Sequence, residues 1–220
     1  MTLTVQRDRL LIRLREAVLG MQEPVSFLLV ERFGRDPFIL LISCILSLRT
    51  KDSVTYAASL RLFKEASDPA TLLMLPLSLI ERLIYPVGFY RRKAIQIKKI
   101  SQILIDDYQG HVPADRDKLL DLPGVGGKTA SLVLGMAFHI PAICVDVHVH
   151  RIVNRLGLCI TRTPEETERV LMELFPEDVW IELNRLLVML GQNICLPTIP
   201  RCSTCPLATM CLRRGVTKST

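Results

Sequence analysis

Lys128 closes a glycine-punctuated turn, LPGVGGKTA, at residues 122–130. A lysine in that position can grip a phosphate, or its amine can attack an electrophilic carbon if it is deprotonated. Asp146 lies eighteen residues further on, within AICVDVHVH, just ahead of an apolar pattern of helical spacing. Near the C-terminus Cys195, Cys202, Cys205 and Cys211 are spaced C-x6-C-x2-C-x5-C inside CLPTIPRCSTCPLATMC. Four thiolates bind either zinc or a 4Fe-4S cluster; structural zinc usually takes two C-x2-C pairs, and only Cys202 and Cys205 are so paired. The other three cysteines, Cys44, Cys144 and Cys159, are scattered among apolar residues, as buried free thiols are.

The turn has three readings. A nucleotide-binding loop needs G-x-x-x-x-G-K-[ST], which would put glycine at 122, and that residue is Leu122. A helix-hairpin-helix would end one helix near Leu120 and begin another at about Gly127. The backbone of Gly124, Val125, Gly126 and Gly127 would then face an anion such as a DNA phosphate, with contacts independent of base sequence. An ordinary interhelical turn is the third reading, and the turn alone leaves the last two even.

The elements that must hold these residues are helices. Leu10, Leu11, Leu14, Ala17 and Val18 mark one face of an N-terminal helix, and Phe38, Leu41, Ile42, Ile45 and Leu46 mark a mostly buried one. Helical patterns recur at 53–65, 69–75, 77–84, 92–108, 115–120, 128–138, 165–174 and 178–190, with breaks at proline and glycine positions between them. Residues 142–150 alternate like a strand, yet Val149, Ile152, Val153 and Leu156 have helical spacing and Asp146 is a good N-cap for them. The expectation is a short extended approach, then a helix, in an all-α chain.

Composition sets outer bounds. A 220-residue chain with 49% hydrophobic residues can fold around a real core in one or two domains. A net charge of +6 and a pI near 9.1 suit a partner rich in phosphate. The longest apolar run, Phe38 to Leu48, is too short to span a bilayer, and the N-terminus has no uninterrupted apolar core. These features lead us to expect an intracellular protein of cytoplasm or nucleoid, without a membrane partner and monomeric. In such a chain a tight cysteine cluster points to metal rather than disulfides.

Taken together, the hairpin, Lys128, Asp146 and the cysteine cluster resemble the endonuclease III family of DNA glycosylases, from about residue 5 to Cys211. The resemblance implies two all-α lobes flanking a DNA cleft. One is a six-helix barrel of residues 30–140 carrying the hairpin; the other joins residues 1–29 to 141–220 and carries a 4Fe-4S cluster on the four cysteines, with Arg201, Arg213 and Arg214 as a basic patch beside it. It implies a bifunctional DNA glycosylase and AP lyase of base excision repair, removing oxidised pyrimidines from double-stranded DNA that holds damaged bases or abasic sites. Lys128 would be the nucleophile, desolvated at the mouth of an apolar cleft, and Asp146, coming from the opposite lobe, its electrostatic partner.

Two loops would fill the gap left by a flipped base, SLRTKD at 47–52 and VGFYRRK at 87–93, with Arg49 and Phe89 as wedges. Phe89 has core as its alternative, and Arg91, Arg92 and Lys93 a solvated helix face. Many members carry glutamine where this chain has Arg49. His148 is a candidate phosphate contact. A mismatch-specific glycosylase on the same fold and a noncatalytic DNA-binding module are the alternatives. Lys128, and the absence of a further C-terminal domain, stand against the adenine-removing branch.

Overall fold

In a computed structural model, residues 3–220 are described, with side chains from Arg7 onward. Twelve α-helices and one short 3-10 turn account for the regular structure, and no strand occurs among the described residues. No described helix is long and apolar enough to cross a membrane. The chain divides into two compact units, one made of the segment up to Glu23 with Pro141–Thr220, the other of Pro24–Ile140.

The Pro24–Ile140 unit contains α2 (Val25–Phe33), α3 (Pro37–Ser47), α4 (Asp52–Glu65), α5 (Pro69–Met74), α6 (Leu77–Ile84), α7 (Tyr90–Tyr108), α8 (Arg116–Asp121) and α9 (Gly127–Phe138). Its centre is α3, buried continuously from Phe38 to Leu46 and packed against α2, α4, α7 and α9. A helix apolar all round must be enclosed on every side, which accounts for its number of neighbours. Asp36 starts it: Oδ1 accepts from the Ile39 amide at 2.9 Å, with Pro37 at the first helical position. Asp68 and Asp115 cap α5 and α8 in the same way. Sequence periodicity does not reveal α2: it has no side-chain cap and buries only Val25 and Leu29, one i,i+4 pair.

The other unit contains α1 (Leu3–Ala17), α10 (Val147–Leu156), α11 (Pro164–Leu174), the 3-10 turn Glu177–Val179 and α12 (Trp180–Asn193). Helix α12 packs on both α1 and α10. Their core joins Leu10, Leu11 and Leu14 to Val149, Ile152 and Val153, and both sets to Leu183, Leu186 and Leu187. The Arg15 guanidinium makes two hydrogen bonds to Glu182, at 2.8 and 2.7 Å, at the rim of this packing. The alternating stretch before α10 forms no ladder. It is an extended approach whose Cys144 carbonyl accepts from Asn184 Nδ2 at 2.5 Å, and the helix begins directly after Asp146.

Candidate functional site

The turn at 122–126 joins α8 to α9, so a helix, not a strand, precedes it. Leu122 and Val125 are buried and seat the hairpin, while Gly124 turns the chain at φ 73°. The Pro123 carbonyl accepts from Gln96 Nε2 at 2.7 Å, which ties the turn to α7. An added Cβ at Gly124 would also collide with the Gln96 side chain. Gly124→Ala is therefore expected to lose about 1–2 kcal/mol through the left-handed backbone alone, read by denaturant titration. Gly126 is the N-cap of α9 and has no side chain with which to cap it. A glycine-capped helix start of this kind leaves room for an outside anion to approach the first amides.

Lys128 is the second residue of α9 and is exposed to solvent. Its charge is felt by Cys44, whose thiol burial pushes up to about 12 and Lys128 pulls slightly back. A thiol held that high is not a nucleophile at neutral pH, so Cys44 is a core residue.

Asp146 caps α10. Its Oδ1 accepts from the amides of His148 at 2.8 Å and Val149 at 2.9 Å, and the residue is 8% exposed. The capping role is thus real and fixes where the carboxylate sits. His148 is half-buried: its Nδ1 lies 3.2 Å from Arg151 Nη2, and its ring packs closely on the Gly191 backbone. Arg151 also donates to the carbonyls of Cys195 at 2.7 Å and Gly191 at 3.1 Å. Burial lowers the guanidinium from its ordinary value, with Cys195 opposing. One turn later Arg155 donates to Cys195 Sγ at 3.4 Å, to the Leu196 carbonyl at 2.7 Å and to that of Pro197 at 2.7 Å.

The four clustered cysteines line one concavity, shared with Arg155, Arg201 and Arg213. Leu207 anchors the loop in the core of this unit, 1% exposed. The Arg213 amide donates to Cys211 Sγ at 3.4 Å. Burial pushes the Cys205 and Cys211 thiols up, and the neighbouring sulfurs add to the rise. Thiolates brought together in this way require a compensating cation. Among the described residues no three cysteine, histidine or acidic side chains are gathered for a single metal ion. Four cysteines around one concavity are a donor set that could hold a metal group.

Arg49 and Phe89 are both exposed and both left-handed, at φ 54° and φ 58°, with the Arg49 guanidinium 5.9 Å from the Phe89 ring centroid. Phe89 is 58% exposed and so is not a core residue. Arg91 and Arg92 are exposed as a solvated face would be, but Lys93 is buried, because carbonyls 45 and 47 positions earlier in the chain approach its amine. Sequence reasoning also passed over Arg151 and Arg155. Their signal is two cations at i,i+4 on the helix that Asp146 caps, in a chain that must neutralise four thiolates.

Residues 42–177 match the family model described as HhH-GPD superfamily base excision DNA repair protein. Endonuclease III of Thermotoga maritima is 46% identical over 203 residues, covering 89% of this chain and 95% of that protein. Among solved structures, one titled as a trapped endonuclease III–DNA covalent intermediate is 36% identical with a TM-score of 0.83, covering 96% of both chains. A thermostable thymine-DNA glycosylase is 26% identical with a TM-score of 0.81, covering 94% of this chain and 96% of that one. A hairpin, a lysine on its second helix, a capping aspartate and a four-cysteine loop thus occur in a chain matched over nearly its whole length. The protein belongs to the endonuclease III family of helix-hairpin-helix base excision repair proteins.

Proposed function

We propose that Lys128 and Asp146 carry the chemistry by which this chain, a bifunctional DNA glycosylase and AP lyase of base excision repair, removes oxidised pyrimidines and nicks the strand. The observation that supports this most is the position of Lys128, exposed on the first turn of the hairpin's second helix. A DNA phosphate bound at that glycine-capped start brings the adjoining sugar to the amine. The hairpin contributes backbone contacts and the net charge of +6 general attraction, neither of which reads base sequence.

The target nucleotide is rotated out of the duplex. The Lys128 amine attacks C1′, the C1′–N bond breaks, and the base leaves with the bonding pair and a proton. Positive charge develops on the sugar during this step, and the fixed Asp146 carboxylate stabilises it. Ring opening, with O4′ taking a proton from water, gives a protonated imine between Nζ and C1′. The imine acidifies the C2′ proton; its removal expels the 3′ phosphate by β-elimination, and water then hydrolyses the imine to free Lys128. Solvent reaches Lys128 in the free protein, so the desolvation that an attacking amine needs arrives with the bound duplex.

Cys195, Cys202, Cys205 and Cys211 would hold a 4Fe-4S cluster. When bound it supplies a structural tie for the C-terminal loop and balances the thiolate charge; base excision needs no electron from it. Arg201 and Arg213 then flank an ordered surface for DNA backbone. Cys202→Ser is expected to lose the broad visible absorbance of fresh protein, together with DNA affinity. A colourless, zinc-loaded and fully active preparation would count against the cluster.

The test of the function is borohydride reduction on a duplex with one abasic site. A covalent protein–DNA adduct is expected, and its absence overturns the lyase and leaves a DNA-binding module. The likeness to thymine-DNA glycosylase favours a second reading, a mismatch-directed enzyme. A panel of oxidised-pyrimidine and mismatched duplexes separates the two by which base is released.

A further inference from the structure

Lys93 joins two loops that come from different helices. Its Nζ donates to the Leu46 carbonyl at 2.9 Å, the Leu48 carbonyl at 2.5 Å and Thr50 Oγ1 at 3.3 Å. It is thus a cation at the C-terminal end of α3, where helix carbonyls lack intrahelical partners. Thr50 Oγ1 extends the link by accepting from the Gly88 amide at 3.1 Å. There the two backbones nearly touch: a Cβ on Gly88 would sit 2.7 Å from the Arg49 carbonyl oxygen, so no side chain fits between them. Arg49 and Phe89 flank this contact, each in a left-handed conformation costly for a residue with a Cβ. Such conformations persist only where the surroundings over-determine them, and Lys93 with Thr50 supplies that constraint.

The cation comes at a cost. Lys93 is 5% exposed, and burial pushes its ammonium down to about 8. An unbranched apolar side chain would fill the same space but leave the Leu46 and Leu48 carbonyls without this donor, so the charge holds the loop junction together.

We propose that Lys93 is a positioning residue that locks the 47–50 and 87–89 loops into one preformed wedge, presenting Arg49 and Phe89 to the gap left by an extruded base. This rests on the reading of Arg49 and Phe89 as gap-filling residues. A wedge already assembled in the free protein costs no loop ordering when DNA binds.

The test uses Lys93→Met and Thr50→Val in the full chain, with Thr50→Ser retaining the hydroxyl. Amide hydrogen exchange in the free protein is expected to quicken in both loops together in the first two variants. Single-turnover release of a lesion base falls by about 10- to 100-fold, the scale of losing a positioned group. Nicking at a preformed abasic site, where no base has to be displaced, falls far less, and Thr50→Ser behaves as the parent. Unchanged exchange in Lys93→Met overturns the proposal. So does an equal loss on both substrates, which marks a purely structural lysine. Should Lys93→Met fail to fold, Thr50→Val decides by the same readouts. Arg49→Ala and Phe89→Ala test the underlying reading separately: normal base release in both, with exchange still quickened by Lys93→Met, sinks the wedge and leaves the clamp.

Discussion

Lys128→Ala yields no borohydride-trapped adduct on abasic-site DNA, and its lyase rate falls on the order of 10⁴-fold or more, the scale of deleting a nucleophile. Stability moves the other way or not at all. Lys128 is exposed in the first turn of α9, where a cation opposes the helix dipole. Its removal is worth between nothing and about 1 kcal/mol in favour of the fold. Binding to intact duplex is expected to survive, because the phosphate contact proposed for the hairpin is made by backbone. A variant that folds, binds and does not cut is a sharp result. Residual trapping in Lys128→Ala at the parent's level would move the nucleophile elsewhere.

Asp146 permits a cleaner separation, since its carboxylate has two duties. As an N-cap it accepts two amides through Oδ1; in the proposed mechanism it also steadies positive charge at the sugar. Asparagine caps helices about as well as aspartate but is neutral. Asp146→Asn is therefore expected to unfold within a few tenths of a kcal/mol of the parent while base release drops on the order of 10²–10³-fold, as for loss of one preorganised electrostatic contact. Asp146→Ala loses the same activity and about 1 kcal/mol of stability besides. Chemical denaturation and single-turnover base release on one set of samples decide it. Equal activity of Asp146→Asn and the parent would reduce Asp146 to a cap.

Several of these features could be read before any coordinates. Asp146 was legible as a cap because Val149, Ile152, Val153 and Leu156 have helical spacing behind it, and local hydrogen bonding then settles a strand-like stretch as a helix start. The hairpin was legible by counting: Leu122 stands where a nucleotide loop needs glycine, and α9 begins at Gly127 as anticipated. Lys93 was not legible. It follows two exposed arginines, and only the tertiary approach of the Leu46 and Leu48 carbonyls turns it inward. Arg155 was hidden for a related reason: its sulfur partner is forty residues away. Helix α2 escaped because two buried residues make too weak a pattern. Local grammar was readable, whereas contacts made at long range by single polar side chains were not.

The unit built from both ends of the chain has a consequence for the order of synthesis. Helix α1 is made well before α12, yet its apolar face packs on that helix. The Pro24–Ile140 segment is complete well before then and can fold while translation continues. Until α10 and α12 follow, Leu10, Leu11 and Leu14 lack the full core that buries them, and they are surface a chaperone would hold. The four clustered cysteines emerge after α12, so a cluster held by them would be loaded only once that helix is made. A nascent chain stalled before residue 180 would carry a folded hairpin on a half-finished protein, with its first helix still waiting.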